Sequence, residues 1–191
     1  MGKAKVLAFA GSAREGSFNK KLIAIAAAGA KEAGADVTLV DLREFPMPLY
    51  DGDLEAREGL PENAKKLKAL FLSHQALLIS SPEYNSSYSP LFKNTIDWVS
   101  RQEKGEEPLA AYKGKIAGLM SASPGGLGGL RGLVHVRAVL GNIHVLVIPD
   151  QLAVSTAHEA FGSDGSLKDL KQQSQAKQIG AKVAQLAARL L

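Results

Sequence analysis

Short apolar, β-prone runs that alternate with longer helix-patterned segments predict an α/β fold in which a parallel sheet is covered on both faces. Three observations carry this prediction. Runs of strand character recur along the 191 residues, helical spacing separates them, and no internal repeat, low-complexity tract or linker interrupts the alternation. With 46% hydrophobic and 22% charged residues, a chain of this length suits one well-buried domain spanning 1–191.

The elements follow in order. KVLAFA, residues 5–10, ends in Gly11-Ser12 and reads as a buried strand. Residues 18–34, FNKKLIAIAAAGAKEAG, are Ala-rich and close on Gly34, as a helix should. DVTLVDL, 36–42, is the second strand, and 43–60, the longest irregular stretch, is expected to be a crossover loop. PENAKKLKALFLSH, 61–74, opens with Pro61 in a first-turn position. ALLISS, 76–81, is the third strand and LFKNTIDWV, 91–99, the third helix. KIAGLMSAS, 115–123, and HVLVI, 144–148, complete the strands, with a helix over about 127–140 between them. The last helix is expected to begin at Ser166, Asp169 completing a capping box, with Leu167, Leu170, Ile179, Val183, Leu186 and Leu190 on its sheet-facing side. Strands and helices in this alternation point to a flavodoxin-like, doubly wound five-stranded parallel sheet of order 2-1-3-4-5, with helices on both faces.

Composition removes several kinds of chemistry. The absence of cysteine excludes disulfides, thiolate catalysis and Cys-ligated metal centres, so any electron chemistry must come from a bound cofactor, and it suits a reducing compartment. The net charge of +4 comes from scattered Lys and Arg, with no basic stripe interleaved with aromatics, so no nucleic-acid partner is expected. The apolar stretch Val6–Ala10 is too short for a signal-peptide core, and no run approaches the ~20 residues of a membrane span. A cytoplasmic protein without a membrane partner is expected. His74, His135, His144 and His158 have no signature linking them to a serine or a metal, and neither a catalytic side chain nor a metal site is expected.

In a sheet of this order ligands bind beyond the carboxyl ends of the strands, where the order reverses. That places GSAREGSFN (11–19), PEYNSSYS (82–89) and SASPGGLGGLR (121–131) around one site. The first loop offers the Ser12 and Ser17 hydroxyls, the Arg14 guanidinium, the Asn19 amide and the free amides of a helix start, all suited to a phosphate. The plainer reading is a helix N-cap at Ser17 or Asn19 beside a solvated Arg14. Gly11 and Gly16 have Walker A spacing, but Ser17 stands where the lysine of a triphosphate site belongs, and the dinucleotide fingerprint G-x-G-x-x-G is absent. In the second loop Pro, Asn and Ser are ordinary turn residues, yet Tyr84 and Tyr88 offer faces on which a flat heteroaromatic ring could stack. Glu83 fits a structural role, capping the following helix, better than that of a base. In the third loop glycines permit close backbone approach, with Ser121 and Ser123 as hydrogen-bonding groups. One monophosphate near strand 1 and a planar ring between the tips of strands 3 and 4 describe FMN, whose flavin carries the electrons.

Together the motifs resemble those of the NADPH-dependent FMN reductase family of flavodoxin-like enzymes, which includes quinone, chromate and azo reductases. GSAREGSFN matches G-S-x-R-x-x-S-x-N, PEYNSSYSPLFKNTIDW is similar to P-E-Y-N-x-S followed by K-N-x-I-D-W, and SASPGGLGGLR is similar to the S-P-G-x-x-G-G-x-R loop. The resemblance covers nearly the whole chain. It implies two-electron reduction of FMN by NADPH or NADH, hydride delivery to a small-molecule acceptor such as a quinone, azo compound, chromate or free flavin, and a homodimer or homotetramer. By the same resemblance Ser12, Arg14, Ser17, Phe18 and Asn19 would hold the phosphate and ribityl chain, Pro82, Glu83, Tyr84 and Asn85 the ring, and Ser121 and Ser123 its other side. The chain departs from the family at Tyr88-Ser89-Pro90, where many relatives have a small residue and Pro-Gly, which makes Tyr88 a substrate-pocket residue. A flavodoxin-type one-electron carrier is the alternative of a different class. Flavodoxins use a Thr/Ser-rich phosphate cradle and are typically acidic.

Overall fold

The computed structural model describes residues 3–190. Its sheet is all-parallel, with β1 (Lys5–Ala10) flanked by β2 (Asp36–Val40) and β3 (Ala76–Ser80), and with β4 (Ile116–Ala122) and β5 (Leu146–Val154) continuing beyond β3. The order is therefore β2-β1-β3-β4-β5, as the sequence predicts. β1, β3 and β4 are interior strands covered on both faces, which is why they read as unbroken apolar runs rather than alternating ones.

Alternate residues of β1 feed separate cores. Val6, Ala8 and Ala10 face α1 (Phe18–Glu32) and α7 (Leu170–Arg189), whereas Leu7 and Phe9 face the layer of α3 (Glu62–Ser73), α4 (Pro90–Val99) and α5 (Leu130–Asn142). Burying each such Leu or Phe contributes about 1.5–3 kcal/mol. On the first face α1 and α7 meet backbone to backbone. A Cβ on Gly29 would lie 2.2 Å from the Lys177 carbonyl oxygen, and one on Gly180 would lie 1.9 Å from that of Ala26.

Four expectations need correction. The crossover is not structureless: a 3-10 turn covers Leu42–Glu44, and a short helix, α2 (Gly52–Glu58), is capped by Asp51, which accepts from the amides of Asp53 and Leu54. β5 runs on to Val154 instead of stopping near 148, because two extra residues between Val147 and Gln151 form a bulge that absorbs Pro149. The last helix starts at Leu170, and its N-cap is Asp169, whose carboxylate accepts from Lys171 and Gln172; Ser166 instead turns onto Asp164. Leu170 and Leu190 are consequently 80% and 66% exposed, while Leu167 is buried ahead of the helix. A short helix, α6 (Ala157–Ala160), also follows β5. No helix of the described residues is long and apolar enough to cross a membrane.

Candidate functional site

The structure brings the three loops together. Gly11 is closely packed, since a Cβ there would come 3.1 Å from the Phe92 Cβ and 3.3 Å from the Ser89 Oγ. Ser89 caps α4 by accepting from the Phe92 amide and donates its hydroxyl to the Gly11 carbonyl at 2.6 Å, tying the second loop to the first. Ser89 was not among the predicted site residues. The signal was present, as a serine followed by proline at the first helical position is a strong helix start.

In the first loop the main chain leaves donors facing outward. Ser17 is the N-cap of α1, with extended backbone and no hydrogen bond from its side chain to the helix. No acceptor among the described residues takes the amides of Ala13, Glu15 or Gly16. Ser12 is nearly buried, and its hydroxyl accepts weakly from the Arg14 amide at 3.4 Å. The Arg14 side chain is exposed, with no carboxylate partner among the described residues, whereas nearby Lys20 and Arg43 are paired with Asp41 and Glu15. Open amides at the start of a 15-residue helix and one unengaged guanidinium make a seat for an anion.

Phe18 and Asn19 are more committed to the fold than the sequence implied. Phe18 stacks on Phe161, with ring centroids 5.9 Å apart and planes 10° from parallel. Asn19 is 3% exposed; its Oδ1 accepts from the Ser80 hydroxyl at 2.8 Å and the Ala122 amide at 3.0 Å, while its Nδ2 donates to the Ala122 carbonyl at 2.9 Å. This side chain neither caps α1 nor reaches outward.

The second loop is a tight hairpin. Tyr84 and Ser87 exchange backbone hydrogen bonds at 2.9 and 3.0 Å, and Asn85 and Ser86 between them both have positive φ, the geometry of a type I′ turn. Tyr84 is 47% exposed, and Asn85 lies exposed beside it, while Pro82 is buried beneath. Tyr88 is half-buried against Phe92, with ring centroids 5.9 Å apart. Glu83 does cap a helix, but α5 rather than α4. Its Oε2 accepts from the Gly132 amide at 2.9 Å, and its Oε1 takes Nε and Nη2 of Arg131 at 3.0 and 2.6 Å. Burial works against ionisation of this carboxyl, but the Gly132 amide and the Arg131 guanidinium outweigh it and hold Glu83 below the usual range. An acid kept ionised in this way is a poor proton carrier.

The third loop places Gly126 in open space, Gly125 against the Ser123 hydroxyl, and Gly128 and Gly129 in left-handed backbone. Ser123 is half-buried, its hydroxyl accepting from the Gly125 amide at 3.3 Å. Ser121 is fully buried, and its hydroxyl has no hydrogen-bond partner among the described residues. A Cβ on Gly129 would stand 1.9 Å from that oxygen, so the loop covers Ser121 closely. Among the described residues no cluster of His, Cys, Asp or Glu could hold a metal ion.

The chain is similar to known proteins along most of its length. Residues 4–159 match the model of the NADPH-dependent FMN reductase family. An NAD(P)H-dependent FMN reductase of Pseudomonas aeruginosa is 35% identical over 183 residues, covering 92% of this chain and 94% of the relative. An NADPH:quinone oxidoreductase of Arabidopsis thaliana is 31% identical over 180 residues, covering 92% and 87%. Among solved structures, the flavoenzyme NAD(P)H:(acceptor) oxidoreductase FerB of Paracoccus denitrificans superposes with a TM-score of 0.81 at 26% identity over 97% of this chain and 98% of that one. An archaeal flavodoxin, at a TM-score of 0.63 and 11% identity over 96% and 99% of the two chains, shares the fold.

Proposed function

The chain belongs to the NADPH-dependent FMN reductase family and is an FMN-dependent NAD(P)H oxidoreductase, and from that premise we propose that the loops at the tips of β1, β3 and β4 hold the cofactor. Bound FMN supplies the redox chemistry, accepting two electrons from NAD(P)H and delivering them to a small-molecule acceptor. The observation that carries the placement is the Arg14 side chain, unengaged beside the open amides at the start of α1. Arg14 and those amides bind the phosphate, with Ser12 and Ser17 beside them. Phe18 and Asn19 act from within the fold, one bracing α1 and the other locking the strand ends beneath the ribityl chain. Pro82, Tyr84 and Asn85 form one wall for the ring, and the Ser123–Gly126 turn forms the other, with Ser121 behind it.

The acceptors we assign are quinones first, then azo compounds, chromate and free flavin. The 191 residues act as one FMN-binding domain in a cytoplasmic homodimer or homotetramer. Leu127, Leu130 and Val134, which are 53%, 43% and 60% exposed beside the third loop, support association at this end of the molecule.

The test is direct. Purified protein is expected to be yellow, or to bind added FMN, and to be reduced by NADPH or NADH in anaerobic stopped flow without any protein partner. A one-electron carrier would react negligibly under these conditions. With a quinone as second substrate, parallel double-reciprocal lines are expected, because donor and acceptor use the same face of the ring in turn; a ternary complex would overturn that sharing. Colourless protein that binds no added FMN would remove the proposal.

A further inference from the structure

The hairpin Tyr84–Ser87 has a shape that is costly to hold unaided. Asn85 and Ser86 lie at φ of 50° and 66°, a left-handed conformation that costs a non-glycine residue energy, serine more than asparagine. Its ends are joined by the exchanged bonds of Tyr84 and Ser87, too little for a ribbon of this length to persist alone. What holds it comes from α5. Arg131 and the Gly132 amide grip both oxygens of Glu83, and His135, one turn further on, meets the Ser87 hydroxyl through Nδ1 at 2.9 Å. Gly132 lets the helix lie directly on the hairpin, for a Cβ there would come 3.0 Å from the Ser87 carbonyl oxygen and 3.3 Å from the Glu83 Cβ. The Glu83 side chain is only 9% exposed.

We infer that Glu83 and Arg131 are positioning residues, clasping the hairpin onto α5 and so setting the gap between the ring-facing walls of the second and third loops. The inference rests on the placement of FMN at these loops. It moves Glu83 from ring contact to anchor, since both of its carboxylate oxygens are spent on the protein. The third loop runs straight into α5, so the clasp makes the two walls one body. A ring entering between them meets a preset slot and does not have to order the hairpin itself, which lowers the cost of binding.

The test uses Glu83→Gln, Arg131→Gln, their double variant, and Arg131→Lys, which keeps the charge but loses the planar fork. Each is titrated with FMN and with riboflavin, and amide hydrogen exchange is followed at Ser87 and along β3. Each single variant is expected to weaken FMN and riboflavin by the same factor, about tenfold, comparable to the loss of one charged hydrogen bond. The double variant should lose no more than either single variant, because the two residues act as one unit. Exchange should quicken at Ser87 while β3 stays protected, whereas a general folding defect would loosen both. If Arg131→Gln does not fold, Arg131→Lys decides by the same readouts.

Arg14→Ala separates this inference from its premise. If that variant weakens FMN but not riboflavin, while the Glu83 and Arg131 variants leave both affinities and the Ser87 protection unchanged, the clasp is overturned and the site stands. If Arg14→Ala also leaves FMN binding intact, the placement of FMN at these loops falls, and the clasp's role with it.

Discussion

The Asn19 side chain, at the start of α1, accepts a hydrogen bond from the Ser80 hydroxyl at the end of β3, 2.8 Å away. With its bonds to both backbone groups of Ala122, it locks the first helix to the carboxyl ends of β3 and β4 at once. Asn19→Ala would leave the Ser80 hydroxyl and the Ala122 amide without these partners, all of them buried. The expected cost is about 3 kcal/mol, from roughly 1–3 kcal/mol for each buried polar group left unpaired. Urea denaturation of the FMN-free protein measures it. A loss below about 0.5 kcal/mol, the scale of an ordinary surface substitution, would mean that the lock is dispensable.

Ser121 and Gly129 give a pair of opposite predictions. Ser121→Ala removes a buried hydroxyl that has no partner among the described residues, so it should raise stability by about 1 kcal/mol and leave FMN affinity unchanged. Gly129→Ala forces a Cβ into left-handed backbone at φ 89° and onto the Ser121 oxygen. A loss of at least about 2 kcal/mol is expected from backbone and clash together. Thermal unfolding of the two variants checks both signs; a drop in FMN affinity in Ser121→Ala would show that this hydroxyl reaches the cofactor after all.

Acid should weaken the protein partly through Glu83. Burial opposes ionisation of this carboxyl, but the Gly132 amide and Arg131 lower its value below the ordinary 4.5. A depressed acid contributes stability that is fully present above 4.5 and is lost as the pH falls through the lower folded value. Wild type should therefore lose stability below pH 4.5 more steeply than Glu83→Gln, measured as the urea midpoint against pH. Parallel curves for the two proteins would mean that the carboxylate adds nothing.

Lys115 should act at the other end of the pH scale. It is 7% exposed, its ammonium donates to the His74 carbonyl, and burial lowers its value from 10.5 to about 8. Between those values the unfolded chain holds a proton that the folded chain has released, so stability rises with pH across that window. Lys115→Met should flatten the rise relative to wild type. An identical slope in both proteins, followed by urea denaturation from pH 7 to 10.5, would place the amine in contact with water.

Tyr88 combines packing with access. Its ring lies half-buried on Phe92, which in turn backs Gly11. Tyr88→Val should cost about 1–2 kcal/mol, less than a large-to-small change in a full core. It should also raise kcat/KM for a bulky azo dye over a small benzoquinone by several-fold, a pocket-shape effect of about 1–3 kcal/mol. FMN affinity should hold. An unchanged ratio would leave the ring a packing residue and assign acceptor choice elsewhere.

What the sequence made legible follows from where the apolar residues lie. β1, β3 and β4 are buried along their length and so are written as continuous hydrophobic runs, and the loops at their tips stand out by contrast. α2 was hidden because none of its residues is buried, leaving no periodicity to read. β5 was cut short because Pro149, Asp150 and Gln151 look like a stop unless the bulge is known. The role of Asn19, and which helix Glu83 caps, escape the sequence for another reason: their partners lie 103 and about 48 residues away, and a long-range hydrogen bond leaves no local mark. Residue type flagged both positions, but only the folded chain shows that they bind protein.

The irregularity in β5 also bears on what the molecule refuses to do. β5 forms one rim of the sheet, where an uninterrupted row of unpaired backbone groups would invite another chain to add a strand. Its register holds with β4 through Val147, slips by two residues, and resumes at Gln151, with Pro149 removing one donor inside the slip. The bulge breaks the rim into two short segments, so an incoming strand would find no continuous ladder to follow. The β5 rim is thereby a poor template for an added strand.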